Sequence, residues 1–103
     1  MRLERYPVER LKKELLAVVG KHLDLNTHRL FFFGSRVTGG GTDRSDVDVG
    51  IEGPESVPAP QWLAIQDEVD ELPMLYKIEF VDFKRVSPEF REVATQHIEL
   101  IAA

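Results

Sequence analysis

The chain contains no cysteine, so a disulfide framework and a thiolate zinc site are both excluded. No apolar run approaches the roughly 20 residues that a membrane-spanning helix needs. The opening MRLERYPVERLKKELL is too charged for a signal peptide, and the default expectation is a cytoplasmic protein. Basic excess is missing too. Thirteen Lys and Arg stand against eighteen Asp and Glu, a net charge of −5, which argues against a non-specific nucleic-acid binder. A nucleotide that arrives with its own metal remains compatible with that charge. There is no repeat, low-complexity tract or linker, so residues 1–103 read as one domain. A chain of this length can bury roughly two-thirds of its unfolded surface.

What is present is a clear alternation of helical and strand patterns. Pro7 to His22 reads as a helix, with Pro7 suited to a first helical position and Val8, Leu11, Leu15, Val18 and Val19 at helical spacing. Leu30 to Phe33 is a strand closed by Gly34, after which Ser35 is expected to cap a helix of one or two turns that frays into Gly39-Gly40-Gly41. A second strand runs from about Asp46 to Glu52. Pro54, Pro58 and Pro60 then mark an irregular loop before Gln61. The next helix carries Trp62, Ile65, Val69 and Leu72 on one stripe and stops at Pro73. Tyr76 to Phe83 is a third strand. Ser87-Pro88 opens a last helix whose apolar face holds Phe90, Val93, Ala94, His97, Ile98 and Ile101. The expected architecture is α/β (α+β), α-β-α-β-α-β-α around a three-stranded mixed sheet, with helices mainly on one face.

The chemistry concentrates in FFFGSRVTGGGTDRSDVDVGIE. Asp46 and Asp48 are two positions apart in a Val/Ile-rich strand and so share a face, where like charges need a cation between them. Mg²⁺ takes such oxygen ligands together with nucleotide phosphates. Gly34-Ser35, between strand and short helix, leaves backbone N–H groups for phosphate oxygens, and Arg36 stands beside that turn to offset triphosphate charge. Arg44 is a weaker candidate for the same task. In the second strand Val47, Val49 and Ile51 oppose Asp46, Asp48 and Gly50. In the third, Ile78, Phe80 and Asp82 oppose Glu79, Val81 and Phe83. Packing the apolar sets on the helices leaves Asp46, Asp48 and Glu79 together on the open face and selects Glu79 over Asp82. Three such carboxylates could hold two metal ions about 3.5–4 Å apart for in-line phosphoryl or nucleotidyl transfer. His22, His28 and His97 lie in different elements without ligand spacing, and Trp62 reads as a core or partner contact.

Gly34-Ser35, a ten-residue gap, Asp46-x-Asp48 and a later acid at Glu79 resemble the nucleotidyltransferase superfamily that includes DNA polymerase beta, most closely its minimal nucleotidyltransferase branch. FFGSRVTGGGTDRSDVDVGI is similar to the family's signature and IEFVDFKRVSPEFREVATQHIELI to its C-terminal end, so the likeness covers roughly Leu30 to Ile101. Two features depart from the branch: Glu79 stands where Asp is commoner, and the loop has three consecutive glycines. The resemblance implies transfer of AMP from ATP to a hydroxyl with Mg²⁺ or Mn²⁺. Asp46, Asp48 and Glu79 would be metal ligands and catalytic groups, and Gly34, Ser35 and Arg36 would bind the nucleotide. Because the chain ends soon after the third strand, the acceptor site is expected to come from another protein. In this branch that partner is a helical HEPN ribonuclease toxin, adenylylated on tyrosine and silenced by its antitoxin. The alternative expectation is a non-catalytic antitoxin that neutralises the partner by occlusion.

Overall fold

The computed structural model describes every residue except 2, 4, 5, 40–45, 75 and 103. Its elements are α1 (Val8–Val19), β1 (Arg29–Phe33), α2 (Ser35–Thr38), β2 (Val47–Glu52), α3 (Ala59–Asp70), β3 (Ile78–Asp82), α4 (Pro88–Ala94) and β4 (Glu99–Ala102). The described strands form one sheet in the order β3-β2-β1-β4. β2 and β3 run parallel, whereas β1 is antiparallel to both β2 and β4. The mixed α+β architecture expected from the sequence is present, with one strand more.

Alternation along the strands divides the core in two. Leu11, Leu15, Val18 and Val19 of α1 and Ile65 and Val69 of α3 pack on one face of the sheet. They meet Leu30 and Phe32 of β1, Val47, Val49 and Ile51 of β2, and Ile78 and Phe80 of β3. Phe31, Phe33 and Phe83 form a smaller cluster on the opposite face. Their rings meet edge-on or tilted, at 4.9 Å for Phe31–Phe83 and 5.1 Å for Phe33–Phe83. β1 is therefore buried on both sides, which is why RLFFF reads as a continuous apolar run instead of an alternating one. Gly50 lies beneath these rings: a Cβ there would come within 2.5 Å of Phe31 and 2.7 Å of Phe83.

The last segment departs from the expected single helix. Ser87 caps α4 by accepting a hydrogen bond from the Phe90 N–H at 3.1 Å, but the helix ends at Ala94. Glu99–Ala102 is a strand beside β1, with Phe31 opposite Leu100 and Phe32 opposite Glu99. The reason is long-range. Phe31 and Phe32 are fully buried, so the outer N–H and C=O groups of β1 need partners that water cannot supply. Glu99 anchors the strand through the N-terminal amine and through Lys12 Nζ at 3.1 Å. α4 lies on the Phe31/Phe33/Phe83 side, where Phe90 reaches Phe33 at 6.4 Å. The acid-bearing face is thus covered over part of its length.

Smaller differences concern the helix starts. Pro7 sits at the N-cap of α1, extended at φ −63° and ψ 125°, and not inside the helix. Pro60 belongs to the first turn of α3, where a missing N–H costs nothing, and not to the preceding loop. No described helix is long and apolar enough to cross a membrane.

Asp82 sits on the helical side of β3, only 6% exposed. It accepts hydrogen bonds from the Val57 N–H (2.8 Å) and the Lys84 N–H (2.9 Å), tying the loop before α3 to the turn after β3. Asp82→Asn can satisfy only one of these donors, and an unpaired buried donor costs about 1–3 kcal/mol. The expected result in a thermal melt is a fall of at least several degrees, since ~1 kcal/mol is worth roughly 4–8 °C in a domain of this size. An unchanged melting temperature would show that these bonds do not secure the loop.

Candidate functional site

The site grows out of the β1–β2 register. Phe33, the last residue of β1, stands opposite Asp48, and Asp48 stands beside Glu79 of β3. Phe33, Asp48 and Glu79 therefore form one row across the same face. The chain leaves this row through Gly34, whose φ of +82° lies in the region that favours glycine. A Cβ at Gly34 would fall 2.2 Å from Asp48 Oδ2. Backbone conformation and the neighbouring carboxylate thus both require glycine here, and the turn lies directly against the acid.

Ser35 is the first residue of α2 and not its cap. Gly34 takes the cap position, and its carbonyl accepts from the Val37 N–H (3.1 Å) and the Thr38 N–H (3.3 Å). Ser35 is exposed at the start of the turn. α2 ends at Gly39, with φ +83° and its N–H on the Ser35 carbonyl. Gly40, Gly41 and Arg44 lie outside the described residues. Arg36 is half-buried, and its guanidinium lies over the Tyr76 ring, 4.7 Å from the centroid.

β2 carries two kinds of acid on one face. Glu52 accepts from Arg29 Nη2 at 2.9 Å and from Arg91 Nη2 at 3.1 Å. The Arg91 hydrogen bonds, supported by Arg29, hold its carboxyl below the usual range despite partial burial. Asp48, four residues earlier, is pushed the other way. Burial raises its pKa, and the charges of Glu79 and then Asp46 raise it further. The three acids expected to act together are therefore close enough to repel. Among the described residues, however, no three His, Asp or Glu side chains are arranged as a ready metal-binding group. Asp48 and Glu79 share a face and Asp46, just before β2, is near enough to act on Asp48, but the set is not closed around one point.

Asp82 is absent from this face and serves the fold, as strand alternation anticipates. The histidines are dispersed: His22 pairs with Glu68, His28 Nδ1 lies 2.9 Å from the Asp24 carbonyl, and His97 is exposed. Trp62 packs edge-on against Phe80 at 6.2 Å, a core contact. The sequence reading missed Tyr76 as a neighbour of Arg36; an aromatic residue just before the Glu79 strand was the available signal.

Asp48 gives the site a measurable signature. Its folded pKa lies above its ordinary value, so an ionised Asp48 destabilises the metal-free fold at neutral pH. That penalty disappears as pH falls through the raised pKa towards the unfolded value. Asp48→Asn is therefore expected to melt higher than the wild type in EDTA at neutral pH, with the gap narrowing in acid. Thermal melts of the pair across pH provide the check. A mutant that melts clearly lower at neutral pH would identify Asp48 as a hydrogen-bonded structural residue.

Residues 11–103 match the family described as "Polymerase beta, Nucleotidyltransferase". Comparison with curated protein sequences gives no significant match. Among solved structures, the chain is similar to a toxin–antitoxin crystallised with AMP-PNP: TM-score 0.70, 11% identity, 87% of this chain and 71% of that one. It is similar to an MntA–HpeT toxin–antitoxin carrying two Asp-to-Glu mutations, at TM-score 0.69 and 9% identity over the same shares. A third structure is a tri-AMPylated Shewanella oneidensis HEPN toxin in complex with an MNT antitoxin, at TM-score 0.64 and 13% identity. That likeness covers 90% of this chain and 71% of the other. These identities establish a shared fold, and the family match spans all but the first ten residues: the chain belongs to the polymerase beta nucleotidyltransferase family.

Proposed function

We propose that the chain is a cytoplasmic, metal-dependent nucleotidyltransferase. In this reading it moves AMP from ATP to a tyrosine hydroxyl of a HEPN ribonuclease partner and acts as its antitoxin. The supporting observation is the contact between the Gly34 turn and the Asp48 carboxylate, with Glu79 one strand away. It sets the Gly34 turn, which this reading makes the phosphate site, against the acidic cluster. The similar structures include one with AMP-PNP and one of an AMPylated toxin, which points to the same chemistry.

Asp46, Asp48 and Glu79 fit Mg²⁺ or Mn²⁺ by donor chemistry: they are neighbouring carboxylates whose repulsion at Asp48 a cation would relieve. When bound, one or two such ions would neutralise phosphate charge and lower the pKa of the attacking hydroxyl. The protein's own share is positional. The N–H groups of Gly34-Ser35 and the Arg36 guanidinium hold the non-reacting phosphates. Glu79 accepts the proton of the tyrosine hydroxyl. The tyrosyl oxygen then bonds to the α-phosphorus, the bond to the bridging oxygen breaks, and pyrophosphate leaves.

A second reading is a binding module that occludes its partner without chemistry. The open arrangement of the carboxylates favours it, since no described metal group is preformed.

Incubation of both purified proteins with ATP and Mg²⁺, followed by intact-mass measurement of the partner, separates the two. The enzyme reading predicts gains in whole AMP units. It also predicts that Glu79→Gln abolishes transfer while nucleotide binding persists, and that Asp82→Asn stays within about tenfold of wild type at a temperature where it is folded, because Asp82 lies off the site. An unmodified but inhibited partner would establish the binding module. Transfer that survives Glu79→Gln and fails in Asp82→Asn would overturn the assignment of the third acid.

A further inference from the structure

Arg36 and Tyr76 are forty positions apart in sequence, yet the guanidinium of one lies over the ring of the other at 4.7 Å. Arg36 follows Ser35 in α2, and Tyr76 stands two residues before β3, the strand that carries Glu79. We propose that Tyr76 is a positioning residue: its ring holds Arg36 beside the Gly34-Ser35 turn and ties that turn to the Glu79 strand. The proposal rests on the reading of the turn as a phosphate site.

The need for such a support follows from the size of α2. Four residues make barely one turn, and an isolated turn does not repay the ordering of its backbone. The cap adds no side-chain hydrogen bond, because Gly34 has no side chain. α2 is instead held from below. Val37 packs against the main core, and Arg36, half-buried, meets Tyr76, which itself packs against the same core.

Tyr76 is in turn fixed relative to the acids. The carbonyl of the next residue, Lys77, accepts the Val47 N–H at 2.9 Å, directly after Asp46. The ring therefore has a set height above the start of β2, and whatever it stacks shares that height. A guanidinium is suited to this arrangement. A flat face can rest on an aromatic ring while the N–H groups stay in the plane, the edge by which a guanidinium recognises phosphate oxygens in pairs. A guanidinium already stacked loses less rotational freedom when it meets an anion. Lysine can supply the charge but not the plane.

The test is titration of the chain with AMP-PNP and Mg²⁺, with a thermal melt for each variant. Tyr76→Phe keeps the aromatic face and is expected to bind within about twofold of wild type. Tyr76→Leu keeps apolar volume without that face and is expected to weaken binding by about five- to thirtyfold, the range of a partly buried cation–π contact. Arg36→Lys leaves the core untouched and is expected to weaken binding as well, so the proposal stays testable if Tyr76→Leu does not fold. The double variant Arg36→Ala with Tyr76→Leu should bind no more weakly than Arg36→Ala alone, since Tyr76 acts through Arg36. A Tyr76→Leu protein that binds like wild type, an Arg36→Lys protein that does so, or losses that simply add in the double variant would overturn the proposal. A wild type that binds no AMP-PNP overturns the phosphate reading of the turn, and this inference with it.

Discussion

Everything at the candidate site depends on one steric constraint, the absence of a side chain at Gly34. The space that its Cβ would fill is occupied by the Asp48 carboxylate, and the backbone there turns at φ +82°. Glycine is thus what allows β1 to end at an acid and leave at once into α2. The antiparallel register of β1 and β2 makes the contact obligatory, because Phe33 and Asp48 are direct partners. The parallel register of β2 and β3 then brings Glu79 alongside. The Gly34 turn follows directly on β1, and Asp48 and Glu79 are neighbours in one sheet, not separate loops that must find each other. Sites on regular elements hold their geometry better than sites on loops, which suits a reaction governed by the positioning of phosphates.

The fold handles its acids in two ways. Glu52 and Asp48 are on the same strand and the same face, yet one is matched by Arg29 and Arg91 while the other faces Glu79 and Asp46. The matched acid helps fasten α4 across the sheet. The unmatched ones store repulsion at a place where a stability-driven design would have put a counter-charge. Local rules of this kind are commonly broken at functional sites, and the proposed cation would supply the counter-charge that the chain withholds.

Much of this was legible from residue patterns, and the failures have physical causes. The face assignment of β2 and β3 was readable because one face is buried: Val47, Val49, Ile51, Ile78 and Phe80 can point only inward, and the choice between Glu79 and Asp82 follows. The end of the chain was not. Phe90, Val93, Ala94, His97, Ile98 and Ile101 fit a helical stripe, but Glu99–Ala102 forms a strand because β1 needs a partner on its outer edge. That demand arises some seventy residues earlier in the chain and leaves no local trace. The Ser35 cap was misplaced for a related reason. Gly34 is dictated by Asp48, a neighbour across the sheet, and it takes the cap position first. The Arg36–Tyr76 contact is tertiary as well: an aromatic residue stands just before the Glu79 strand, but nothing local pairs it with Arg36.

In the proposed function, the acids at this site require a cation before they tolerate a nucleotide. Three carboxylates and a triphosphate share one sign, and their repulsion at close range is large unless screened by a metal. Calorimetric titration of the chain with ATP, once with Mg²⁺ and once with EDTA in its place, tests this directly. The account predicts measurable binding with the metal and a loss of most of that affinity without it. Equal affinity in EDTA would contradict the account, because the acids would then not face the phosphates at all.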